Sequence, residues 1–268
     1  MKKSRKILLS VFGISIPALL IAGYFYVSSS AASPLDQLDA SAVSNFFNQK
    51  RSEGMLEKKI FGYSENGRAI YGYETGAGKN ALLLIAGMHG REKGGKDLLD
   101  KLAEEVLSDP SLISPTNKLI IIPLVNPDGY YGGQDKVNAN GVNLNRNFGT
   151  SQWVQYEGED LFAGAKPFSE SESRVIKDLV EQFQPRMMIA FHSQGHIVSP
   201  EAGDPSIKLA RWYAGKTGYH YFDEWDYAGT ATRWFQELTD NPAITVELIN
   251  HVESDWEINK AALFELIS

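Results

Sequence analysis

Residues 80–108 read NALLLIAGMHGREKGGKDLLDKLAEEVLS. The run ALLLIA offers no polar position, as a strand covered on both faces requires, and KGGKDLLDKLAEEVLS reads as a helix. Between them the turn carries His89 and, three residues on, Glu92, in a chain with only five histidines. A solvated turn is the plain explanation for such a pair. A catalytic site is the other, since sites in open α/β sheets form beyond the carboxyl ends of strands.

Strand and helix signals alternate outward from this stretch. KIFGYS and AIYGYET form a hairpin through the turn ENGR. KLIIIPLV, MMIAFH and AITVELI are further strands. SESESRVIKDLVEQFQ, PSIKLARWYAGKTG, TATRWFQEL and DWEINKAALFELI are helices. The alternation, with apolar runs in the strands, predicts an α/β layer architecture. A polar stretch from Asn126 to Lys166 is too long for a plain connection, and loops of that length usually carry function. Gly76-Ala77-Gly78-Lys79 precedes its strand and lacks phosphate-loop spacing, so it reads as a turn.

The amino terminus carries Lys2, Lys3, Arg5 and Lys6, then a mostly apolar run from Ile7 to Val27. That run approaches the ~20 residues that span a bilayer, while Ser30 and Ala32 suit signal cleavage. Residues 1–32 are therefore expected to be an export signal or a membrane anchor, placing the rest outside the cytoplasmic membrane. Residues 33–55 are expected to form a spacer or a short packing helix, and residues 56–268 the catalytic domain. The chain has net charge −7, and −7 less those four cations leaves −11 on the exported part. Nucleic acid is an unfavourable partner for such a surface. The chain has no cysteine, which excludes disulfides, thiolate metal sites and a cysteine nucleophile. Any metal must be held by nitrogen and oxygen.

Two histidines, one carboxylate and an open position are typical of a catalytic zinc site without sulfur. His89 and Glu92 supply two ligands, and His192 ends the strand MMIAFH at the equivalent edge. A core histidine bonded to backbone is the alternative for His192. His192 with His196 makes a poor rival pair because Gly195 interrupts it. Glu247 sits in the otherwise apolar AITVELI, where desolvation raises its proton affinity toward that of a general base; a structural salt bridge is the alternative. Asn145 and Arg146 in the polar loop can grip a carboxylate, the guanidinium by two parallel bonds. Asn138, Asn140, Asn143 and Asn147 around them predict a tightly hydrogen-bonded loop.

His89-Gly90-Arg91-Glu92, Asn126-Pro127-Asp128-Gly129, GVNLNRNF, Phe191-His192-Ser193 and Thr245-Val246-Glu247-Leu248 together resemble the zinc carboxypeptidases. In order and spacing they are most similar to the short bacterial branch that includes γ-D-glutamyl-diaminopimelate peptidases. The resemblance spans about residues 60–260. It implies a mixed, mainly eight-stranded twisted sheet with helices on both faces and one zinc ion on His89, Glu92 and His192. It also implies Glu247 as the base for zinc-activated water, with Asn145 and Arg146 on the substrate's terminal carboxylate.

Four positions depart from the family pattern. Asn143 stands where relatives have an aspartate behind the first zinc histidine, and weaker metal binding is the expected direction. Lys136 lies near where relatives place an arginine on the scissile carbonyl, supplying charge without the fork. Trp225 occupies the place of the tyrosine that closes over substrate, with Tyr227 as its candidate replacement. Thr232 matches the base of the side-chain pocket, and Arg233 beside it is expected either to meet a second substrate carboxylate or to lie at the surface. The expected activity is hydrolysis of a peptide bond next to a free carboxylate, on peptidoglycan stem peptides. General carboxypeptidase action on peptide ends and zinc deacylation of N-acyl amino acids are the alternatives. His196, His220 and His251 receive no role.

Overall fold

The computed structural model describes residues 56–156, 158 and 161–268. The segments 1–32 and 33–55 lie outside these residues. Among the described residues, no helix is long and apolar enough to cross a membrane.

The hairpin forms as β1 (Glu57–Tyr63) and β2 (Ala69–Thr75). Next, β3 (Asn80–Ala86) leads into α1 (Lys93–Ser108), and β4 (Asn117–Ile122) into the short α2 (Pro127–Gly132). Beyond the polar loop come α3 (Ser171–Phe183), β5 (Met187–Ser193), β6 (Ile197–Pro200) and α4 (Asp204–Thr217). The chain closes with β7 (His220–Tyr221), α5 (Ala231–Thr239), β8 (Ala243–Leu248) and α6 (Trp256–Ile267).

One eight-stranded mixed sheet results, ordered β1-β2-β4-β3-β5-β8-β6-β7. Its centre, β4, β3, β5 and β8, is parallel, with β2 and β6 antiparallel on either side. Residue patterns identify six of the strands. The other two, β6 and β7, are only four and two residues long and show no period of their own; they complete the eight that the family resemblance implies.

Alternate residues of the central strands enter two separate cores, which is why their sequences are apolar throughout. Leu82, Leu84, Ile189 and Val246 pack under α1, α4 and α6. Leu83, Ile85, Met188 and Ala190 pack under α3 and α5 on the other face. Each fully buried leucine contributes about 2 kcal/mol of transfer free energy. The parallel centre also brings the carboxyl ends of β3, β5 and β8 to one edge, with His192 directly beside Glu247 in the register. At that edge α1 begins with Gly94 against the backbone, where a Cβ would lie 2.2 Å from the Glu253 carbonyl oxygen.

Candidate metal centre and carboxylate site

His89 lies on the turn between β3 and α1. Its shape is set by Asn126, the cap of α2, whose side-chain amide donates to the carbonyls of Met88 (3.0 Å) and Val137 (3.1 Å). Asn126 Oδ1 accepts from Gly129 N–H at 2.8 Å. The NPDG motif thus ties the turn carrying His89 to the polar loop.

Three side chains converge there. Glu92 Oε1 is 2.8 Å from His89 Nδ1, and Glu92 Oε2 is 2.9 Å from His192 Nδ1. Glu92 is 3% exposed and His192 2%. One ligand atom from each of the three lies within 4.8 Å of the others. Burial pushes the Glu92 pKa up, but the imidazoles of His89 and His192 hold it well below the usual carboxylate range. The His89 Nε2–H has an acceptor in Asn143 Oδ1 at 3.2 Å, which leaves the Nδ1 lone pair for the cluster. An N₂O donor set with this convergence fits zinc. Asn143 stands behind His89, as the sequence comparison of motifs predicts, and its amide is neutral.

Glu247 faces the same edge. Burial raises its pKa to about 7 and Glu92 adds to the rise, while His192, Arg91 and Lys136 pull it down. Lys136 is therefore close enough for its charge to act on the expected base. Arg91 acts there as well, and sequence reasoning assigned it no role. Its Nε is buried without a hydrogen-bond partner, and its Nη1 lies 3.5 Å from Asp135 Oδ2. Its position between His89 and Glu92 was the available signal.

Asn145 and Arg146 form a single helical turn with Leu144. Asn145 Oδ1 accepts from the Ala231 N–H at 3.1 Å, and its Nδ2 lies 3.3 Å from His192 Nε2. The Arg146 guanidinium donates to the Asn145 carbonyl at 2.7 Å, while its Nε is buried without a partner. Burial lowers its pKa, and it makes no ion pair among the described residues. Its guanidinium lies 4.5 Å from the centroid of the Tyr227 ring, which is 48% exposed. Tyr227 thus stands at the carboxylate site, with the Trp225 ring 6.2 Å away. Gly229, at φ 77°, lets the chain pass against Arg146, where a Cβ would lie 2.2 Å from the Arg146 carbonyl oxygen.

Thr232, 1% exposed, donates to Glu201 Oε1 at 2.6 Å. Arg233 pairs with Asp226 and, at 3.2 Å, with Glu237, so its guanidinium is already matched by two acids. The asparagine-rich loop is as tightly bonded as its composition predicts. Asn138 and Asn140 donate to Glu170, and Asn147 to the Ala163 carbonyl. His196, His220 and His251 lie outside the three-residue cluster.

A sequence profile of the zinc carboxypeptidases matches residues 45–251. The chain belongs to the zinc carboxypeptidase family. Among curated zinc carboxypeptidase relatives, murein peptide amidase A of Escherichia coli K12 is 34% identical over 130 residues. That match covers 43% of this chain and 50% of the relative, so the chain spans about half the length of that protein. Murein peptide amidase A of Vibrio campbellii is 28% identical over 196 residues, 66% of this chain and 73% of the relative. The crystal structure of murein-tripeptide amidase MpaA from Escherichia coli O157 superposes with a TM-score of 0.63 at 25% identity, covering 78% of this chain and 91% of that one. Carboxypeptidase A of Helicoverpa armigera shares the fold, with a TM-score of 0.68 at 18% identity over 93% of this chain and 76% of that one.

Proposed function

We propose that this chain is an extracytoplasmic, zinc-dependent carboxypeptidase that cleaves an amide bond next to a free carboxylate in peptidoglycan stem peptides. The observation that carries the reading is Arg146, a half-buried side chain whose Nε is buried without a partner and which has no acidic partner among the described residues. A buried cation kept without a counter-ion is costly, and a substrate carboxylate bound by two parallel hydrogen bonds would supply it. The murein peptide amidases among the relatives support a stem-peptide substrate. The basic and apolar residues 1–32 support a location outside the membrane, reached by anchoring or by export with cleavage.

His89, Glu92 and His192 would hold a single zinc ion, which supplies Lewis acidity toward the carbonyl and the attacking water. Arg146 and Asn145 bind the terminal carboxylate, and Tyr227 covers it. Glu247, with a pKa near neutrality, accepts the proton from the water as its oxygen bonds to the carbonyl carbon. It then passes that proton to the nitrogen as the C–N bond breaks. Lys136 and Arg91 place positive charge where the carbonyl oxygen becomes negative.

Zinc-loaded enzyme is to be offered a muropeptide with a γ-D-glutamyl-diamino acid linkage, an α-linked dipeptide with a free carboxylate, and the carboxamide of each. Cleavage of the muropeptide and not of its carboxamide is expected. Faster turnover of the α-linked dipeptide would reassign the enzyme to ordinary peptide ends, and cleavage of the carboxamides would remove Arg146 from its role. Glu247→Gln should lower turnover on the order of 10²- to 10⁴-fold while zinc content stays unchanged.

A further inference from the structure

Glu92, His192 and Glu247 come from three separate segments: the turn into α1, the end of β5 and the end of β8. Backbone pairing holds these segments together only up to a point. It ends at Ala86–Phe191 between β3 and β5, and at Ser193–Leu248 between β5 and β8. Glu92 lies beyond the last paired residue of β3, so contacts outside the sheet must set its distance from the other two.

His251, which the metal cluster leaves out, makes those contacts. Its carbonyl oxygen accepts from the Gly94 N–H at 2.9 Å, two residues after Glu92. Its Nδ1 lies 2.8 Å from Ser193 Oγ, one residue after His192. Ser193 is 5% exposed, and a buried hydroxyl needs a partner, which the half-buried imidazole supplies. His251 itself follows Glu247 by four residues, so one residue reaches the neighbours of all three acting side chains.

The loop that presents it is braced on both sides. Asn250 Oδ1 accepts from the Val252 and Glu253 N–H groups at 2.9 and 2.8 Å. Asp255 Oδ2 accepts from the Ile249 N–H at 2.8 Å and from the Tyr219 hydroxyl at 2.6 Å. Gly94 lets this loop press against the start of α1, and the Gly195 N–H binds the turn after Ser193 back to the Leu248 carbonyl at 3.0 Å. A tie between braced segments transmits position, where the same bond on a loose loop would not.

We propose that His251 is a positioning residue, whose bonds to Ser193 and Gly94 fix the separations of Glu92, His192 and Glu247. It acts through those two neighbours, and the proposal rests on the zinc-hydrolase reading given above. Partners one step removed from a metal site typically change metal affinity or activity 10- to 100-fold when they are lost, because small misplacements of reacting groups are costly.

The test compares full-length His251→Leu, His251→Asn, Ser193→Ala and the double variant His251→Leu/Ser193→Ala with the unaltered chain. Cutting the side-chain tie, by His251→Leu or by Ser193→Ala, should lower kcat on the order of 10- to 100-fold at full zinc loading. KM should change little, because Arg146 lies on a different segment. Chelator competition should show the zinc dissociation constant rising roughly tenfold. His251→Asn, whose amide can take the place of Nδ1, should recover most of both losses, and the double variant should be no worse than His251→Leu, since both changes cut one bond. Unchanged kcat and zinc affinity in Ser193→Ala overturn the proposal, as do losses that add in the double variant or an asparagine no better than leucine. Should His251→Leu fail to fold, Ser193→Ala and His251→Asn decide. If the unaltered chain leaves the muropeptide uncleaved, the substrate reading falls, while the zinc constants of the same variants still decide the role of His251.

Discussion

Two clusters of three candidate ligands exist among the described residues, and they differ in what surrounds them. His89, Glu92 and His192 form one; Glu65, Glu170 and Glu172 form the other. In the second, every carboxylate is met by a permanent donor. Glu170 Oε2 accepts from Asn138 and Asn140 at 2.8 Å each, Ser169 donates to its other oxygen at 2.6 Å, and the Ser171 N–H reaches Glu65 at 2.6 Å. Amides and hydroxyls cannot vacate those lone pairs without leaving buried polar groups unsatisfied. In the first cluster the partners of Glu92 are imidazoles, which can shed a proton and offer a lone pair. Proximity of acids alone therefore does not make a metal centre; partners that can become ligands themselves do.

The contrast can be broken most directly at the first cluster. Glu92→Gln or His192→Ala should reduce zinc from one equivalent to background by atomic absorption, with turnover lost alongside. Retained stoichiometry would remove these residues from the ligand set.

Asn138→Ala tests the second cluster from the opposite side. It strips a donor from buried Glu170 and Glu172, costing about 1–3 kcal/mol. Calorimetry should then show a lower Tm, by roughly 2–4 °C for each kcal/mol, while zinc stoichiometry holds at one. Zinc lost with folding intact would make the acidic cluster part of the metal site.

Asn143→Asp sharpens the first cluster by placing a charge behind His89. Zinc affinity by chelator competition should rise roughly tenfold; an unchanged constant would show that the neutral amide already orients the ring fully.

The smallest effect is a difference in pH slope on chelator-treated protein. The lowered pKa of Glu92 contributes stability above its unfolded value, and this is lost as pH falls. Burial raises the pKa of Glu172, so its contribution is full below the unfolded value and is lost as pH rises through the folded one. Relative to the unaltered chain, Glu92→Gln should lose its destabilising effect toward acid, and Glu172→Gln should gain stability toward neutral pH. Parallel melting curves across that range would show that the two acids do not differ in environment.

Much of the fold is legible because the causes are local. ALLLIA and MMIAF contain no polar residue, so both faces had to be covered, and a parallel centre then carries His89, His192 and Glu247 to one edge. Glu247 stands out for the same reason, as an acid in an apolar strand. The asparagine-rich loop announces dense hydrogen bonding, though not where each amide points.

What the amino-acid order determined by itself was the alternation of strands and helices and the ligand-type residues at strand ends, since periodicity and the cost of burying charge act within a few residues. Only the tertiary structure decided that Asn145 is held by Ala231, that Arg233 is paired with Asp226 and Glu237, and that Glu201 faces a cavity. Asn145 and Ala231 are 86 residues apart and Thr232 and Glu201 are 31 apart. Contacts at such separations depend on how helices and short edge strands dock against the sheet, and no local pattern encodes that docking.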